Sequence, residues 1–166
     1  MKKILISIII ISTSINVFSQ NEKIEAMFLY SFAKYVIWPD GIRNEEYTIG
    51  VIGNEALAKE LTMFCNNRAI GSKKIVVRSF DNISENDVIN MLVIGESCAS
   101  KISSYAGKLG RHTVIVSEKE NMFSKGSEIC FKREDDKLKF ELSRNNIMDK
   151  GLYIDKRLLD YAILVD

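Results

Sequence analysis

Histidine, proline and tryptophan each occur once in the 166 residues of this chain. One histidine excludes zinc sites built on several imidazoles. It also leaves His112 as the sole base for any Ser–His or Cys–His hydrolase. No GxSxG surrounds Ser97 or Cys98, so neither sits on a nucleophile elbow. GxGxxG and GxxxxGK[ST] are both missing, which removes support for dinucleotide and nucleoside-triphosphate sites. No cofactor, metal or catalytic residue is therefore expected, and a binding or regulatory role is preferred over an enzyme. The three cysteines include no CxxC, so a thioredoxin-like redox role has no basis. An excess of one charge is lacking too: Lys+Arg is 23 against 22 for Asp+Glu, a net +1. A general nucleic-acid binder would be visibly basic. Low-complexity tracts, linkers and repeats are absent, which points to one domain.

What is present is a folded composition, 46% hydrophobic and 27% charged. Part of that apolar content belongs to the N-terminus. Lys2 and Lys3 precede an apolar stretch over residues 4–18, and Val17-Phe18-Ser19 suits a signal peptidase. The stretch is shorter than the roughly 20 residues that span a bilayer. Residues 1–19 are expected to be a secretory signal, and 20–166 an exported, periplasmic domain with no direct membrane insertion. Loss of Lys2 and Lys3 moves the net charge to −1. Export permits disulfides. An odd cysteine count allows at most one internal bridge, expected as Cys65–Cys98, with Cys130 in an apolar strand.

Along the chain, helical and extended patterns alternate. Helices are expected over 22–37, 55–65 with Asn54 as cap, 97–109, 145–150 and 155–163. Strands are expected over 47–52, 74–80, 91–94 and 113–116, then a hairpin of 128–132 and 138–142 around Glu134-Asp135-Asp136. This predicts an α/β domain: a mixed, mostly parallel sheet of five or six strands, helices on both faces, and a C-terminal antiparallel hairpin. The first helix is apolar most of the way round, with only Glu25, Ser31 and Lys34 strongly polar over 24–38. It is either an internal helix or a surface for a second copy or another partner.

Two strand ends look alike, Gly53-Asn54-Glu55 and Gly95-Glu96-Ser97. Each is either a capping turn or a ligand site at the carboxyl edge of the sheet, which makes Gly53, Asn54, Gly95, Glu96 and Ser97 candidate ligand residues. A carboxylate pair for acid–base work could come from Glu55, Glu96 and Glu118, although their spacing does not show that they converge. His112 with Ser97 or Cys98 is the one conceivable dyad.

The segment AMFLYSFAKYVIWP, residues 26–39, resembles the opening signature A-x-F-L-Y-N-F-A-K-Y-x-x-W-P of the YfiR-like periplasmic family. Later landmarks follow in order: IGVIG at 49–53, 71–78 like GxxIxVR, MLVI at 91–94, TVIVS at 113–117, FELS at 140–143, and GLYIDKRLLDYA at 151–162 like G-L-x-I-S-S-x-L-L-x-L-A. Ser31 and Ser143 replace frequent asparagines, and a cysteine often found before Met91 is missing. The resemblance implies a periplasmic regulator that restrains an inner-membrane diguanylate cyclase through its sensor portion, so that release raises cyclic di-GMP and promotes attachment. The partner would be such a cyclase or a sensor kinase. Phe28, Tyr30, Lys34, Tyr35 and Trp38 are the candidate partner-binding residues, since Trp and Tyr are enriched in binding hot spots. A small-ligand-binding module without a cyclase partner is the alternative.

Overall fold

In the computed structural model, residues 4–39 and 45–165 are described, with side chains from Gln20 onward. The expected signal, residues 1–19, lies outside the described side chains. The chain begins with α1 (Ile4–Tyr35), followed by the two-residue strand β1 (Val36–Ile37). Next come β2 (Glu46–Ile52), α2 (Glu55–Cys65), β3 (Ala69–Ile70), β4 (Lys73–Ser79) and β5 (Met91–Ile94). A 3-10 turn (Glu96–Lys101) leads into α3 (Ile102–Ala106) and β6 (Val114–Ser117). Strands β7 (Ile129–Glu134) and β8 (Lys137–Leu142) form the hairpin. The chain closes with α4 (Arg144–Asp149), β9 (Tyr153–Ile154), α5 (Lys156–Leu159) and β10 (Ile163–Leu164).

The main sheet runs β10-β8-β7-β6-β5-β2-β4-β3. Its centre, from β4 through β2, β5 and β6 to β7, is parallel, and β8 returns antiparallel to β7. The α/β architecture expected from the sequence is therefore the one found. Six strands of four to seven residues build it, and the two-residue strands β3 and β10 extend its edges. The hairpin turns through Asp135 and Asp136, both at positive φ (51° and 57°), the two-residue geometry that suits the twist of paired strands.

Alternation along β5 and β6 separates two cores. Met91, Val93, Val114 and Val116 face α1 and α2. Leu92, Ile94 and Ile115 face Ile102 and Tyr105 of α3 on the other side. The first core is aromatic at its centre: Phe32 lies 4.8 Å from Phe140 and 5.8 Å from Phe131, ring to ring. Both cores are built from strand residues buried on each face, which is why these strands read as continuous apolar runs.

Four local expectations change. Of the helix expected over 155–163 only Lys156–Leu159 is helical, because Ile163 and Leu164 pair parallel with Glu141 and Leu142 of β8. The first helix stops at Tyr35, because Val36 and Ile37 pair antiparallel with Ile154 and Tyr153. Residues 97–109 do not form one α-helix, since the segment starts as a 3-10 turn crowded against Gly53. The Cys65–Cys98 bridge is not formed: all three cysteines are free. Cys65 belongs to the core under α2 and Cys98 packs on the core under α3, on opposite faces of the sheet.

Candidate functional site

After β2 the chain crosses over α2 to β4 on one side, then returns to β5 on the other side of β2. The carboxyl ends of β2 and β5 therefore flank the topological switch point, where open α/β sheets form a ligand crevice. Gly53 and Gly95 sit there, but the crevice is closed. A Cβ on Gly95 would lie 2.5 Å from the Gly53 carbonyl oxygen. A Cβ on Gly53, whose φ is +77°, would lie 2.7 Å from Cys98 Sγ and 3.2 Å from Ser97 Oγ. The two glycine turns pack against each other, with Cys98 and the exposed Ser97 beside Gly53, so Gly53 and Gly95 present backbone rather than space at this point.

Asn54 and Glu96 remain open, and both line a cavity of about 430 Å³ beside the closed crevice. Asn54 caps α2 through Oδ1, which accepts from Leu57 N at 3.0 Å. Its Nδ2 donates to Glu118 Oε1 at 2.6 Å. Glu118 Oε2 accepts the Glu96 backbone N–H at 3.3 Å. One carboxylate thus joins the ends of β2, β5 and β6. From above, α1 adds Glu22 and Glu25, and β7 adds Arg133, which reaches Glu25 at 3.4 Å. Glu25 is 7% exposed. Burial, then the neighbouring Glu118 charge, pushes its carboxyl up to about 8, with Arg133 opposing. Glu118 is also raised, by burial, while hydrogen bonds from Asn54, the Glu96 amide and Glu25 hold it down.

Of the acidic trio considered from sequence, Glu96 and Glu118 meet at this cavity. Glu55 does not: it accepts from Ser79 Oγ at 3.3 Å. Glu25 was missed. Its signal was a carboxylate inside an otherwise apolar helix, immediately before the fully buried Ala26.

His112 precedes β6, whereas Ser97 and Cys98 follow β5, so they lie at opposite ends of the parallel strands and form no dyad. The ring Nδ1 of His112 is 2.7 Å from the Lys150 carbonyl, and its own carbonyl accepts from Trp38 Nε1 at 2.9 Å. Nearby, Lys150 Nζ pairs at 3.1 Å with Glu128, which is 1% exposed. Burial pushes Glu128 up to about 7, against the pull of Lys150. Among the described residues, no group of His, Cys, Asp or Glu side chains could hold a metal, and no helix is long and apolar enough to cross a membrane.

The aromatic helix divides between core and surface. Ala26, Leu29, Phe32, Ala33 and Val36 are buried. Phe28, Tyr30, Tyr35 and Trp38 are half-buried around them, and Lys34 is exposed. Tyr30 packs edge-on to Phe64 under the Arg68 guanidinium, while Trp38 stands perpendicular to Tyr47. Phe28 and Tyr35 face an open groove of about 350 Å³, shared with Ser31, Phe140, Arg157, Leu158 and Tyr161, and Trp38 lines a separate one of about 290 Å³ beside His112. Arg157 lies 4.7 Å over the Tyr35 ring, and Tyr161 is 79% exposed.

No curated protein matches the chain. The family model described as YfiR/HmsC-like matches residues 22–163, from the start of the aromatic helix to the last strand, and the chain belongs to that family.

Proposed function

We propose that this protein is a periplasmic signalling regulator, exported by removal of residues 1–19, that binds and restrains the sensor portion of an inner-membrane signalling protein such as a diguanylate cyclase. It acts by contact and carries no catalytic step of its own. Membership of the YfiR/HmsC-like family over residues 22–163 carries this reading. The groove between α1 and α5 supports a contact mechanism. Phe28, Tyr35, Arg157 and Tyr161 supply aromatic rings and a guanidinium, the side chains that concentrate binding energy at interfaces. Crosslinking in intact envelopes should recover an inner-membrane sensor protein. Tyr35→Ala with Tyr161→Ala should lose it while the regulator stays folded. Deletion of the gene should raise cyclic di-GMP. Recovery of no membrane protein, with cyclic di-GMP unchanged, refutes the proposal.

The cavity at Asn54, Glu96 and Glu118 favours a second reading, a small-ligand-binding module. A ligand at about 100 times its dissociation constant would stabilise the fold by about 2.7 kcal/mol, which a thermal-shift panel detects. A flat response across metabolite classes would remove this reading and leave the first untouched.

A further inference from the structure

The cavity of about 290 Å³ beside Trp38 and His112 lies at the opposite edge of the sheet, where β5 and β6 begin. Two polar side chains that line it are each bonded on one side and free on the other. Asn90 is only 5% exposed. Its Oδ1 accepts the Thr48 N–H at 2.9 Å, which sets the amide so that Nδ2 is the free group. In His112, Nδ1 faces the Lys150 carbonyl at 2.7 Å. A carbonyl only accepts, so the neutral ring carries its hydrogen on Nδ1 and leaves Nε2 as an acceptor. Among the described residues neither Asn90 Nδ2 nor His112 Nε2 has a partner, and neither atom is sealed from solvent. Polar groups on side chains this buried are normally bonded, so a donor left open in a cavity invites an acceptor from outside the chain. Trp38 adds ring surface. Its Nε1 donates to the His112 carbonyl at 2.9 Å, and its plane stands at 90° to Tyr47, 5.2 Å away.

We propose that this cavity binds a nucleobase, free or as its nucleoside: a planar heterocycle whose edge carries an acceptor beside an N–H donor. Asn90 Nδ2 donates to the acceptor, His112 Nε2 accepts from the N–H, and Trp38 packs on the ring. A flat ligand is favoured because it can offer both groups and still lie against the indole. The volume is at the small end of the about 300–1,000 Å³ usual for ligand pockets, which suits one ring system and not a dinucleotide. Glu85 and Asp87 line the cavity with Arg111, which is already bonded to the Asp149 carbonyl at 3.3 Å. That carboxylate excess disfavours a phosphate, in keeping with the missing phosphate-binding motifs.

The chain has one tryptophan and one histidine, so the Trp38 indole N–H and the His112 ring protons are single NMR signals that report on this cavity. Titrating the purified protein with adenine, cytosine, adenosine, cytidine and toluene tests the proposal. At least one base or nucleoside should shift both signals saturably, and the pattern across the four tells free base from nucleoside. Toluene, a flat ring without either polar group, should bind at least tenfold more weakly. Adenosine monophosphate should bind at least tenfold more weakly than adenosine. His112→Asn keeps a donor for the Lys150 carbonyl but removes the Nε2 acceptor, and should weaken the best ligand at least tenfold. Asn90→Asp keeps the acceptor for Thr48 but removes the donor, and should weaken it likewise; His112→Asn alone decides if that variant fails to fold. No saturable shift with any of the four overturns the proposal. So does toluene or the monophosphate binding equally well, or full affinity in a folded variant.

Discussion

Replacing Gly95 with alanine tests whether the closed switch point is a packing device. Gly95 has φ −60° and ψ 153°, a conformation any residue adopts. Backbone freedom is therefore not why glycine stands there. A Cβ would meet the Gly53 carbonyl oxygen at 2.5 Å, its carbon at 2.7 Å and the Ile52 oxygen at 3.2 Å. All three are backbone atoms of the neighbouring strand end, so no side chain can swing away. The two strands must separate, which disturbs the Gly95 N–H bond to the Ile52 carbonyl at 2.8 Å. Overpacking of this kind costs about 1–3 kcal/mol, and a lost buried backbone bond adds roughly 1 kcal/mol. The expected destabilisation is about 2–4 kcal/mol. Gly107→Ala is the control. Gly107 has φ −69° and its nearest contacts would be 3.7 and 3.8 Å, so alanine there should be neutral or stabilise by about 0.4–1 kcal/mol. Urea unfolding followed by circular dichroism measures both. If Gly95→Ala and Gly107→Ala unfold within about 0.5 kcal/mol of each other, the contact between the two turns does not govern stability and the reasoning fails.

Two further outcomes follow from buried groups. Glu128 is raised from its ordinary carboxyl value to about 7, so its contribution favours the folded state below about pH 4.5 and is lost as pH rises through 7. Stability should decline between pH 5 and 8 by at most roughly 3 kcal/mol from this group, and Glu128→Gln should flatten that decline in denaturation series at stepped pH. Cys98 alone should react with a thiol reagent in the native state. Cys65 and Cys130 are buried, and burial pushes the Cys65 thiol up to about 11. Modification counted by mass spectrometry should give one adduct when native and three when unfolded, with or without reductant.

Much of the fold was readable because local chemistry decided it. Asn54 before an amphipathic run marked the start of α2, the apolar runs at 91–94 and 113–116 marked doubly buried strands, and a charged turn marked the hairpin. What escaped depended on which face each crossover takes. Cys65 and Cys98 look pairable along the chain, yet α2 and α3 cover opposite faces of the sheet. The matching glycine turns were noticed, but their mutual contact follows from β2 and β5 being neighbours, which strand spacing does not reveal. The meeting of Glu25 with Glu118 needs the path of α1 across the strand ends. Only its polarity inside an apolar helix hinted that it had a partner.

The seating of α1 also governs when the molecule can fold. Phe28 and Phe32 rest on Phe131 and Phe140, Val36 pairs with Ile154, and the Asp155 amide donates to the Tyr35 carbonyl at 2.9 Å. The helix made first can meet α2 early, through Tyr30 and Phe64, but the rest of its seat is complete only when nearly the last residues have been made. Contacts so distant in sequence require the largest loops to close before they contribute, which slows folding. A nascent chain of this topology completes the seat of its first helix only when its tail arrives.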